Sequence, residues 1–393
     1  MELLNIILLG LTSLLAIPTL VFSFQVFFAQ SLPPRLNKEI ERDFRVAVLV
    51  PAHNEAEVIA RTLSSIASQL GENDMLLVVA DNCTDSTASI AAKYTKNVIE
   101  RQHEIRRGKG YALDFGLQFL QQNELPEVVI IIDADCQLST SCINVLAEKA
   151  KTENRPVQAL YLMGAPDKKL ISQAVAEFAW LVKNQVRALG LMRLGLPCQL
   201  MGTGMAFPWE VLKKADLAHG NMVEDMKLGV DLAIQGFPPS FCPNALVTSE
   251  FPVSTRVINE QRKRWEHGHL ATIIAELPRL LIAAFKQKDQ KLLGMALDLS
   301  VPPLSLLGLC LMVAVSLAAT LTVITNNTVL IQVLSILISF FMVAVFTAWF
   351  KFGREVMTLK DLCGIPFYIL RKIPLYFSFL LNRQREWVKT ERD

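Results

Sequence analysis

The chain has 393 residues, a formal net charge of +2 and only 19% charged residues, whereas about a quarter of the residues of ordinary soluble domains are charged. Charged side chains are absent from residues 3–34 and 299–350, while residues 35–298 contain 30 Lys or Arg and 31 Asp or Glu. This distribution excludes a purely soluble protein and a disordered chain, and it lacks the clustered basic excess of a nucleic-acid-binding protein. The composition therefore predicts a water-soluble domain held between membrane segments.

The first apolar run, residues 3–29, is long enough to cross a bilayer, which takes about 20 helical residues. A cleaved signal peptide is the alternative, but such peptides begin with basic residues and have a shorter apolar core, whereas the only early charge here is Glu2. We therefore expect residues 1–34 to form a retained transmembrane anchor. The second run, residues 299–350, is long enough for two further transmembrane helices with a polar turn between them.

Basic residues lie next to these spans on only one side of the membrane. Arg35 follows the first span and Lys351 follows the last, whereas the turn between the last two spans has no Lys or Arg. Since basic flanks remain in the cytoplasm, we expect an integral membrane protein whose N-terminus lies outside and whose central domain faces the cytoplasm. Residues 271–298 are expected to form a helix lying on the membrane surface, and residues 351–393 a cytosolic or interfacial tail.

The central domain, residues 35–270, alternates short apolar runs with amphipathic helical patterns. Residues 46–50, 75–80 and 128–132 are strongly apolar, which favours buried strands. Strands that alternate with helices predict an α/β fold with a mostly parallel sheet. Ligands of such sheets bind beyond the carboxyl ends of the strands. The acidic residues that follow these three strands are Glu55, Asp81, and the pair Asp133 and Asp135.

Asp133 and Asp135 directly follow the most apolar predicted strand. Carboxylate oxygens are hard ligands that suit Mg²⁺ or Mn²⁺, and such ions usually also bind substrate phosphates. Two solvated turn aspartates are the ordinary alternative for so short a pattern. The position at the end of a buried strand favours a site in which a divalent cation neutralises a departing diphosphate.

Glu224 and Asp225 precede a predicted helix over residues 226–234. Acidic residues at the start of a helix are commonly no more than caps. The functional alternative is a general base, which would take the proton from an acceptor hydroxyl as that oxygen attacks a sugar carbon.

Gln261, Arg264 and Trp265 lie on one side of a predicted helix, because they are three and four residues apart. Basic residues near a membrane often contact only lipid headgroups. An indole beside a fixed guanidinium also suits a sugar face and a phosphate leaving group. A second segment, which is either a ligand-binding loop or an ordinary tight turn, consists of Gly202, Thr203, Gly204 and Met205.

Together these motifs resemble those of the family 2 membrane glycosyltransferases, a group that includes cellulose, chitin and hyaluronan synthases and ceramide glucosyltransferase. The resemblance covers roughly residues 44–270 and the membrane layout, and the ordered set is more specific than any of its parts. The matching segments are Pro51-Ala52-His53-Asn54-Glu55, Asp81, Asp133-Ala134-Asp135, Glu224-Asp225 and Gln261-Arg262-Lys263-Arg264-Trp265.

The resemblance implies a GT-A fold, which is a Rossmann-like α/β domain, and inverting transfer from a nucleotide-sugar donor. A UDP-sugar is the favoured donor, Mg²⁺ or Mn²⁺ the implied cofactor, and Asp225 the implied base beside Glu224. The positions implied to hold the nucleotide are Ala52, Glu55, Asp81, Lys109, Asp133, Ala134 and Asp135, of which Asp133 and Asp135 would also hold the metal. The positions implied to lie near the diphosphate and the acceptor are Gly202, Thr203, Gly204, Met205, Gln261, Arg264 and Trp265.

The resemblance leaves the acceptor open between a lipid-linked sugar or lipid and a growing polysaccharide. The small membrane part favours a single addition, and a polymer channel would need helices from a second copy or from a polysaccharide-assembly partner. A processive polysaccharide synthase subunit is therefore the first alternative, and a non-catalytic nucleotide-sugar-binding subunit is the second. The seven scattered cysteines predict reduced thiols rather than disulfides or a zinc site.

Overall fold

The computed structural model describes residues 2–29, 31–32, 42–123, 125–164, 171–218, 223–252 and 255–381, which form two compact units. The helical unit comprises the described residues within Met1–Ser31, Asp167–Leu196 and Arg262–Gln384. The sheet unit comprises those within Leu32–Pro166 and Pro197–Gln261. Arg35, on which the predicted orientation partly depends, and the end of the predicted tail beyond residue 381 lie outside the described residues.

The described strands form one sheet in the sheet unit. They are β1 Val46–Ala52, β2 Met75–Asp81, β3 Asn97–Arg101, β4 Val128–Ile131, β5 Gln137–Leu138, β6 Val157–Gly164, β7 Met205–Pro208 and β8 Ser240–Glu250. The helices are α1 Glu2–Phe28, α2 Ile59–Ala67, α3 Thr87–Ala91, α4 Lys109–Gln122, α5 Cys142–Glu153, α6 Ile171–Leu181, α7 Ala188–Arg193, α8 Trp209–Leu212, α9 Glu224–Ile234, α10 Thr255–Gln287, α11 Gln290–Leu299, α12 Leu304–Thr325, α13 Val329–Ala348, α14 Leu359–Cys363, α15 Ile365–Arg371 and α16 Ile373–Leu381. Two π-helical segments, Val182–Arg187 and Trp349–Gly353, follow α6 and α13.

The sheet has the spatial order β3-β2-β1-β4-β7-β6-β8-β5. The strands β3, β2, β1 and β4 are parallel, and β6 is parallel to β8. Only β7 and β5 run antiparallel to their neighbours. The prediction of a mostly parallel α/β sheet is confirmed. Because β1, β2 and β4 are parallel, their carboxyl ends lie at one edge of the sheet.

Strands β1 and β4 are buried along their whole length. Their apolar sequences without alternation are typical of strands that are covered on both faces. Helix α4 contributes to this cover, and its Gly116 lies so close to β1 that an added Cβ would be 2.6 Å from Leu49 Cδ1. Helix α2 buries Ile59, Leu63 and Ile66, whose three- and four-residue spacing defines one apolar face. The sheet is therefore held rigidly beneath the loops that follow its carboxyl ends.

Four described helical stretches are long and apolar enough to cross a membrane. Three of them, Gly10–Phe28, Leu304–Thr325 and Val329–Gly353, lie where the sequence predicts spans. The fourth, Glu260–Gln287, lies in α10, where the sequence predicts a surface helix, and its mean hydropathy of 1.4 is the lowest of the four. A layout with three crossings and α10 on the membrane surface stays a prediction.

The unit boundaries differ from the domain boundaries that the sequence suggests. Helices α6 and α7 lie inside the predicted soluble domain, residues 35–270, yet they pack in the helical unit. Helix α7 packs closely against the backbone of α1, since an added Cβ on Gly190 would lie 2.0 Å from the backbone oxygen of Gln25. Phe178 of α6 packs against Gly353, where an added Cβ would lie 2.6 Å from its ring. The predicted domain ends at residue 270, whereas the sheet unit ends between Gln261 and Arg262. This unit boundary falls inside α10, which continues through it without interruption.

A buried polar network joins three helical segments of the helical unit. The Arg187 guanidinium donates to Gln25 Oε1 at 2.8 Å and to Asp298 Oδ1 at 2.7 Å. Gln25 Nε2 donates to the same Asp298 oxygen at 2.7 Å. Because buried charges are tolerated when they are paired and hydrogen-bonded, this network fixes α1 and α11 against the π-helical segment that ends at Arg187.

No disulfide joins the seven cysteines, all of which lie among the described residues. Cys136, Cys142, Cys198 and Cys242 are buried in the sheet unit. The predicted reduced thiols therefore agree with the structure, and burial raises the pKa of Cys142 above its usual range, which makes this thiol a poor nucleophile.

Candidate active site

The loops that follow β1 and β2 are joined by side-chain hydrogen bonds. Asn54, at the end of the β1 loop, accepts from the Thr84 backbone N–H at 2.7 Å and donates to Thr84 Oγ1 at 3.1 Å. The backbone N–H of Glu55 donates to Thr87 Oγ1 at 2.8 Å, and Asp85 accepts from the Ala56 N–H at 3.1 Å. The predicted nucleotide position Glu55 thus lies on a loop that is fixed by its neighbour, and Ala52, the last residue of β1, lies directly before this loop.

Asp85 is a member of this loop pair that the sequence analysis did not single out. Its carboxylate accepts from both the backbone N–H and the hydroxyl of Thr87. Partial burial acts to raise the pKa of Asp85, but these hydrogen bonds outweigh it and lower the pKa below its usual range. The polar turn after β2 is therefore held by a charged carboxylate at neutral pH.

Asp81, the last residue of β2, forms an ion pair. Arg101 Nη1 donates to Asp81 Oδ1 at 2.6 Å, and the Asn82 side chain donates to the same oxygen at 3.0 Å. The Arg101 guanidinium also lies over the Tyr111 ring, 5.6 Å from its centroid. Asp81 is consequently a fixed acceptor at the carboxyl edge of the sheet, and Arg101 is a neighbour that sequence spacing did not reveal.

The Asp133-Ala134-Asp135 segment after β4 is held by its backbone. The Asp133 N–H donates to Thr203 Oγ1 at 3.0 Å, and the hydroxyl of buried Thr62 on α2 donates to the Ala134 carbonyl at 2.8 Å. These bonds leave the two carboxylate side chains as the chemically active groups of the segment. Thr62 could not be singled out from sequence, because it is one of many threonines on amphipathic helices.

Lys109 connects the predicted site residues. It is the first residue of α4, its ammonium forms an ion pair with Asp133, and it lies 3.8 Å from Glu224 Oε1. It also donates to the Gly202 carbonyl at 2.7 Å. Burial acts to lower the pKa of Lys109, but the carboxylates of Asp133 and Glu224 outweigh it and raise the pKa above the usual range. Residues from four separate segments of the chain therefore meet at one permanently charged ammonium.

Asp225 lies close to Gly202, as this ammonium does. A Cβ added to Gly202 would be 3.4 Å from Asp225 Oδ2 and 3.8 Å from Lys109 Nζ. Gly202 has a φ of +89°, in the left-handed region that favours glycine. The left-handed backbone conformation is thus the reason that glycine suits this position, while an added Cβ would make only ordinary contacts with the carboxylate and the ammonium.

Gln158 on β6 holds the loop that contains Gly202 and Thr203. Its side chain is fully buried, accepts from the Met201 N–H at 2.8 Å and donates to the Thr203 carbonyl at 2.9 Å. Gln158 was not predicted as a site residue, although a single glutamine within an apolar strand is a signal of a buried polar role. Through Thr203, Gln158 also supports the position of Asp133.

Burial is the largest influence on the pKa values of Glu224 and Asp133, two carboxyl groups of this cluster. It raises the pKa of Glu224 to about 7, with Asp225 adding to the rise and Lys109 opposing it. It also raises the pKa of Asp133, with Asp135 adding to the rise and Lys109 opposing it. The site therefore concentrates negative charge, and its carboxyl groups compete for one ammonium.

The raised pKa of Glu224 predicts a pH dependence of stability. From pH 4.5 to about 7 the folded protein retains a proton on Glu224 that the unfolded chain has lost, so the free energy of unfolding falls as the pH rises through this window. The rise from 4.5 to about 7 is worth up to roughly 3 kcal/mol. Glu224→Gln is expected to flatten the dependence of the unfolding midpoint on pH, measured by thermal unfolding in detergent. Glu210→Gln, at a 69% exposed side chain, should retain the wild-type slope, and equal slopes for both variants would contradict the prediction.

Gly204 predicts a loss of stability on substitution. It has a φ of +65°, and an added Cβ would lie 2.7 Å from Ala159 Cβ and 2.9 Å from Val247 Cγ2. Gly236 has a φ of +94° and no atom within 4 Å of an added Cβ, so Gly236→Ala is a control for backbone strain without a clash. We expect Gly204→Ala to lower the free energy of unfolding by about 1–3 kcal/mol more than Gly236→Ala, because overpacking is added to strain. An equal loss of unfolding free energy in the two variants would contradict the prediction, because it would show that the atoms around Gly204 move aside at no cost in stability.

The acidic side chains of the site supply some of the ligands that a divalent cation needs. Asp133 and Asp135 supply hard carboxylate oxygens. Among the described residues, no group of three or more His, Cys, Asp or Glu side chains is arranged to hold a metal by itself. Mg²⁺ is commonly bound by one or two carboxylates together with substrate phosphates and water. The residues present therefore fit an ion that binds with its phosphate-bearing substrate.

The predicted acceptor motif on α10 is divided between the two units. Gln261 belongs to the sheet unit, whereas Arg264 and Trp265 belong to the helical unit. Within the helical unit, the Trp265 ring packs against Trp180 of α6 with 5.1 Å between ring centroids. The predicted roles of these three residues toward the acceptor stay predictions.

Residues 44–268, more than half of the chain, match the model of a glycosyltransferase like family 2. The chain belongs to this family, which confirms the resemblance found in the sequence.

Two bacterial proteins are among the relatives to which the chain is similar. It is 24% identical over 275 residues to the Probable glycosyltransferase YdaM of Bacillus subtilis, covering 66% of this chain and 62% of that protein. It is 25% identical over 231 residues to a poly-beta-1,6-N-acetyl-D-glucosamine synthase of Staphylococcus epidermidis, covering 57% of this chain and 54% of that protein. The chain thus spans about three fifths of the length of these relatives.

The structure of the mannosyltransferase PcManGT from Pyrobaculum calidifontis, in complex with GDP-Man and Mn²⁺, superposes with a TM-score of 0.51. The match covers 88% of this chain and 98% of that protein at 17% identity. At this level of identity the similarity shows the fold alone, and it supports the predicted GT-A class.

Proposed function

We propose that this protein is a membrane-anchored, inverting glycosyltransferase that moves a sugar from a nucleotide-sugar donor to an acceptor hydroxyl. The observation that carries the proposal is the meeting of Asp133, Glu224 and the Gly202 carbonyl at Lys109, with Asp225 beside Gly202. A basic group among several carboxylates at the carboxyl edge of a parallel sheet suits a diphosphate and the cation that accompanies it. Membership of the glycosyltransferase family supports the reaction class.

Asp225 is the proposed general base. An acceptor hydroxyl that loses its proton to this carboxylate attacks the anomeric carbon of the donor sugar, while the bond from that carbon to the diphosphate oxygen breaks. A single displacement of this kind inverts the anomeric configuration and needs no nucleophile from the enzyme. Lys109 stabilises the negative charge that develops on the departing diphosphate. Glu224 is the second candidate for the base, because a pKa of about 7 is suited to proton transfer at neutral pH.

Asp133 and Asp135 are the proposed holders of Mg²⁺ or Mn²⁺. When bound, such an ion neutralises charge on the leaving diphosphate. The neighbouring nucleotide positions are Ala52, Glu55, Asp81 and Ala134. Two observations support this assignment. The loops after β1 and β2 are joined by hydrogen bonds, and the Asp81 carboxylate is held by its ion pair with Arg101. The complex of PcManGT with GDP-Man and Mn²⁺ is in line with this assignment.

The acceptor is proposed to be a lipid-linked or polysaccharide hydroxyl at the cytoplasmic face of the membrane. The residues assigned to it are Gly202, Thr203, Gly204, Met205, Gln261, Arg264 and Trp265. The candidate spans support a membrane-bound protein, and the predicted basic flanks support an outside N-terminus. The similarity to a synthase named for an N-acetylglucosamine polymer makes UDP-N-acetylglucosamine the first donor to test.

The proposal is tested by measuring sugar transfer with the full chain in lipid nanodiscs. UDP- and GDP-sugars are supplied with Mg²⁺ or Mn²⁺, and the products are separated by length. Transfer to a lipid or oligosaccharide acceptor supports the proposal, and a ladder of products would identify a processive synthase rather than a single addition. Binding of donor without turnover would instead identify a non-catalytic nucleotide-sugar-binding subunit. A protein that neither binds nor transfers any of these donors would refute the proposal.

A further inference from the structure

The C-terminal helices of the helical unit contact one face of α10. We call residues 365–381, which comprise α15, Lys372 and α16, the C-terminal clamp. Arg262 Nη1 of α10 donates to Tyr368 Oη of the clamp at 2.9 Å. Glu266, one helical turn further on, forms an ion pair with Lys372. These residues are four apart on α10 and therefore share a face, so the clamp contacts α10 over a full turn.

A third contact extends this interface to His267. Its ring nitrogen Nε2 donates to the Leu375 carbonyl at 3.1 Å, and its ring packs edge-on against Phe379 at 5.2 Å between centroids. His267 is fully buried. The ring is held by a hydrogen bond at one nitrogen and by packing against Phe379, so its orientation is restricted. The contact therefore restrains α10 against turning about its own axis.

Lys372 is the central residue of the clamp. Besides its ion pair with Glu266, it lies 3.3 Å from Ser305 Oγ at the start of α12 and 5.2 Å from the Tyr368 ring centroid. Its side chain is only 15% exposed, and that of Glu266 14%. Tyr376 of the clamp forms a second hydrogen bond with Ser305, at 2.5 Å. An ion pair with so little exposure and several further contacts has a defined geometry, unlike a surface pair.

The segment that the clamp contacts is the one that carries the acceptor motif. Arg262 and Glu266 flank Arg264 and Trp265 in the chain, and Trp265 packs against Trp180 of α6. The Arg262 guanidinium also donates to the Ser172 carbonyl of α6 at 3.0 Å. This turn of α10 is therefore held between α6 and the clamp. None of the clamp residues belongs to the family motif.

We propose that the C-terminal clamp is a positioning element of the transferase, in which Lys372 acts through Glu266 to set the orientation of residues 262–265 of α10. The inference rests on the proposed function, since the orientation of this segment matters if Arg264 and Trp265 serve the acceptor and the diphosphate. Lys372 is a positioning residue, because it acts through α10 and not on the substrate. The clamp couples the end of the chain to the transfer step.

The test compares Lys372→Met with Lys360→Met, an exposed lysine of α14 in the same part of the chain. Amide hydrogen exchange of the full chain in nanodiscs is followed in peptides covering residues 262–268. We expect exchange there to be faster in Lys372→Met by on the order of tenfold, and unchanged in Lys360→Met. Lys372→Arg, and the charge exchange Glu266→Lys with Lys372→Glu, should restore slow exchange. These variants retain an ion pair between positions 266 and 372. Recovery in them would show that faster exchange in Lys372→Met comes from loss of this pair and not from general misfolding.

Kinetics then test the link to transfer. In Lys372→Met we expect kcat to fall by on the order of tenfold, with the donor KM within about twofold of wild type because Asp81, Asp133 and Asp135, which are assigned to the nucleotide and the metal, are unchanged. Unchanged exchange in Lys372→Met, unchanged kcat despite faster exchange, or no recovery in the charge exchange would each overturn the proposal. If the wild-type protein transfers no sugar, the proposed function fails, and the exchange measurement still decides whether Lys372 holds α10.

Discussion

Asp225→Asn is expected to lower kcat for sugar transfer by a factor on the order of 10²–10⁴, which is the usual contribution of a general base. Asparagine has nearly the same shape as aspartate but cannot accept the acceptor proton. The neighbouring contacts of Lys109 with Asp133 and with the Gly202 carbonyl do not involve Asp225. We therefore expect the dissociation constant of the donor to change little. The measurement is single-turnover transfer together with donor binding by calorimetry.

Two further variants make this result interpretable. Asp231→Asn introduces the same change on the same helix, at a residue that pairs with Lys227, and should retain nearly full activity. Glu224→Gln separates the two candidate bases, because the variant that loses more of kcat identifies the residue that takes the proton. Near-normal turnover in Asp225→Asn, with a large loss in Glu224→Gln, would move the role of base to Glu224.

Asp135→Asn is expected to lower metal-dependent transfer by on the order of a hundredfold or more, since a carboxylate that neutralises and orients the cation is lost. Asp135 is the more informative of the two predicted metal ligands, because Asp133 also pairs with Lys109 and its replacement would disturb two interactions. The Mn²⁺ dependence of kcat/KM is one measurement. Binding of Mn²⁺ in the presence of UDP or GDP, followed by electron paramagnetic resonance, is an independent one.

Asp216→Asn is the matched control for this experiment. Asp216 is an exposed aspartate of the sheet unit, and its loss should leave both the metal dependence and the binding of Mn²⁺ unchanged. If Asp135→Asn binds Mn²⁺ with wild-type affinity and transfers sugar at the wild-type rate, the cation is not held by this residue.

Much of the sheet was predictable, because its signals are local. The central strands β1, β2 and β4 consist mainly of apolar residues, with a charge only at the final Asp81 of β2, and such short apolar runs favour buried strands of a parallel sheet. The short strand β3 has a half-buried pattern and was not predicted, since edge strands carry a weak apolar signal. Helix α9 begins at Glu224, two residues before its predicted start, because acidic residues are favourable in the first turn of a helix.

The candidate site was predictable as a set of residue types but not as a geometry. Asp133, Asp135, Glu224 and Asp225 were identified from their places after a strand and before a helix. That Asp133 and Glu224 share Lys109 follows only from the fold, since the three residues are separated by long stretches of chain. The sequence likewise does not identify the partners of Thr62 and Gln158, because each partner belongs to another element, although the isolated glutamine in an apolar strand does indicate a buried polar role.

The sequence by itself determined the class of the protein: two apolar regions long enough for membrane helices, a soluble α/β region between them, and an ordered set of acidic and basic motifs. These properties depend on composition and on spacing within one segment, so they do not need a partner. Only the tertiary structure decided which segments pack together. It assigned α7 to the helical unit through the close contact of Gly190 with Gln25, and it placed the C-terminal helices against α10. The physical reason is that packing and ion pairing depend on distances in space, and residues that are far apart in the chain acquire such distances only when the chain folds.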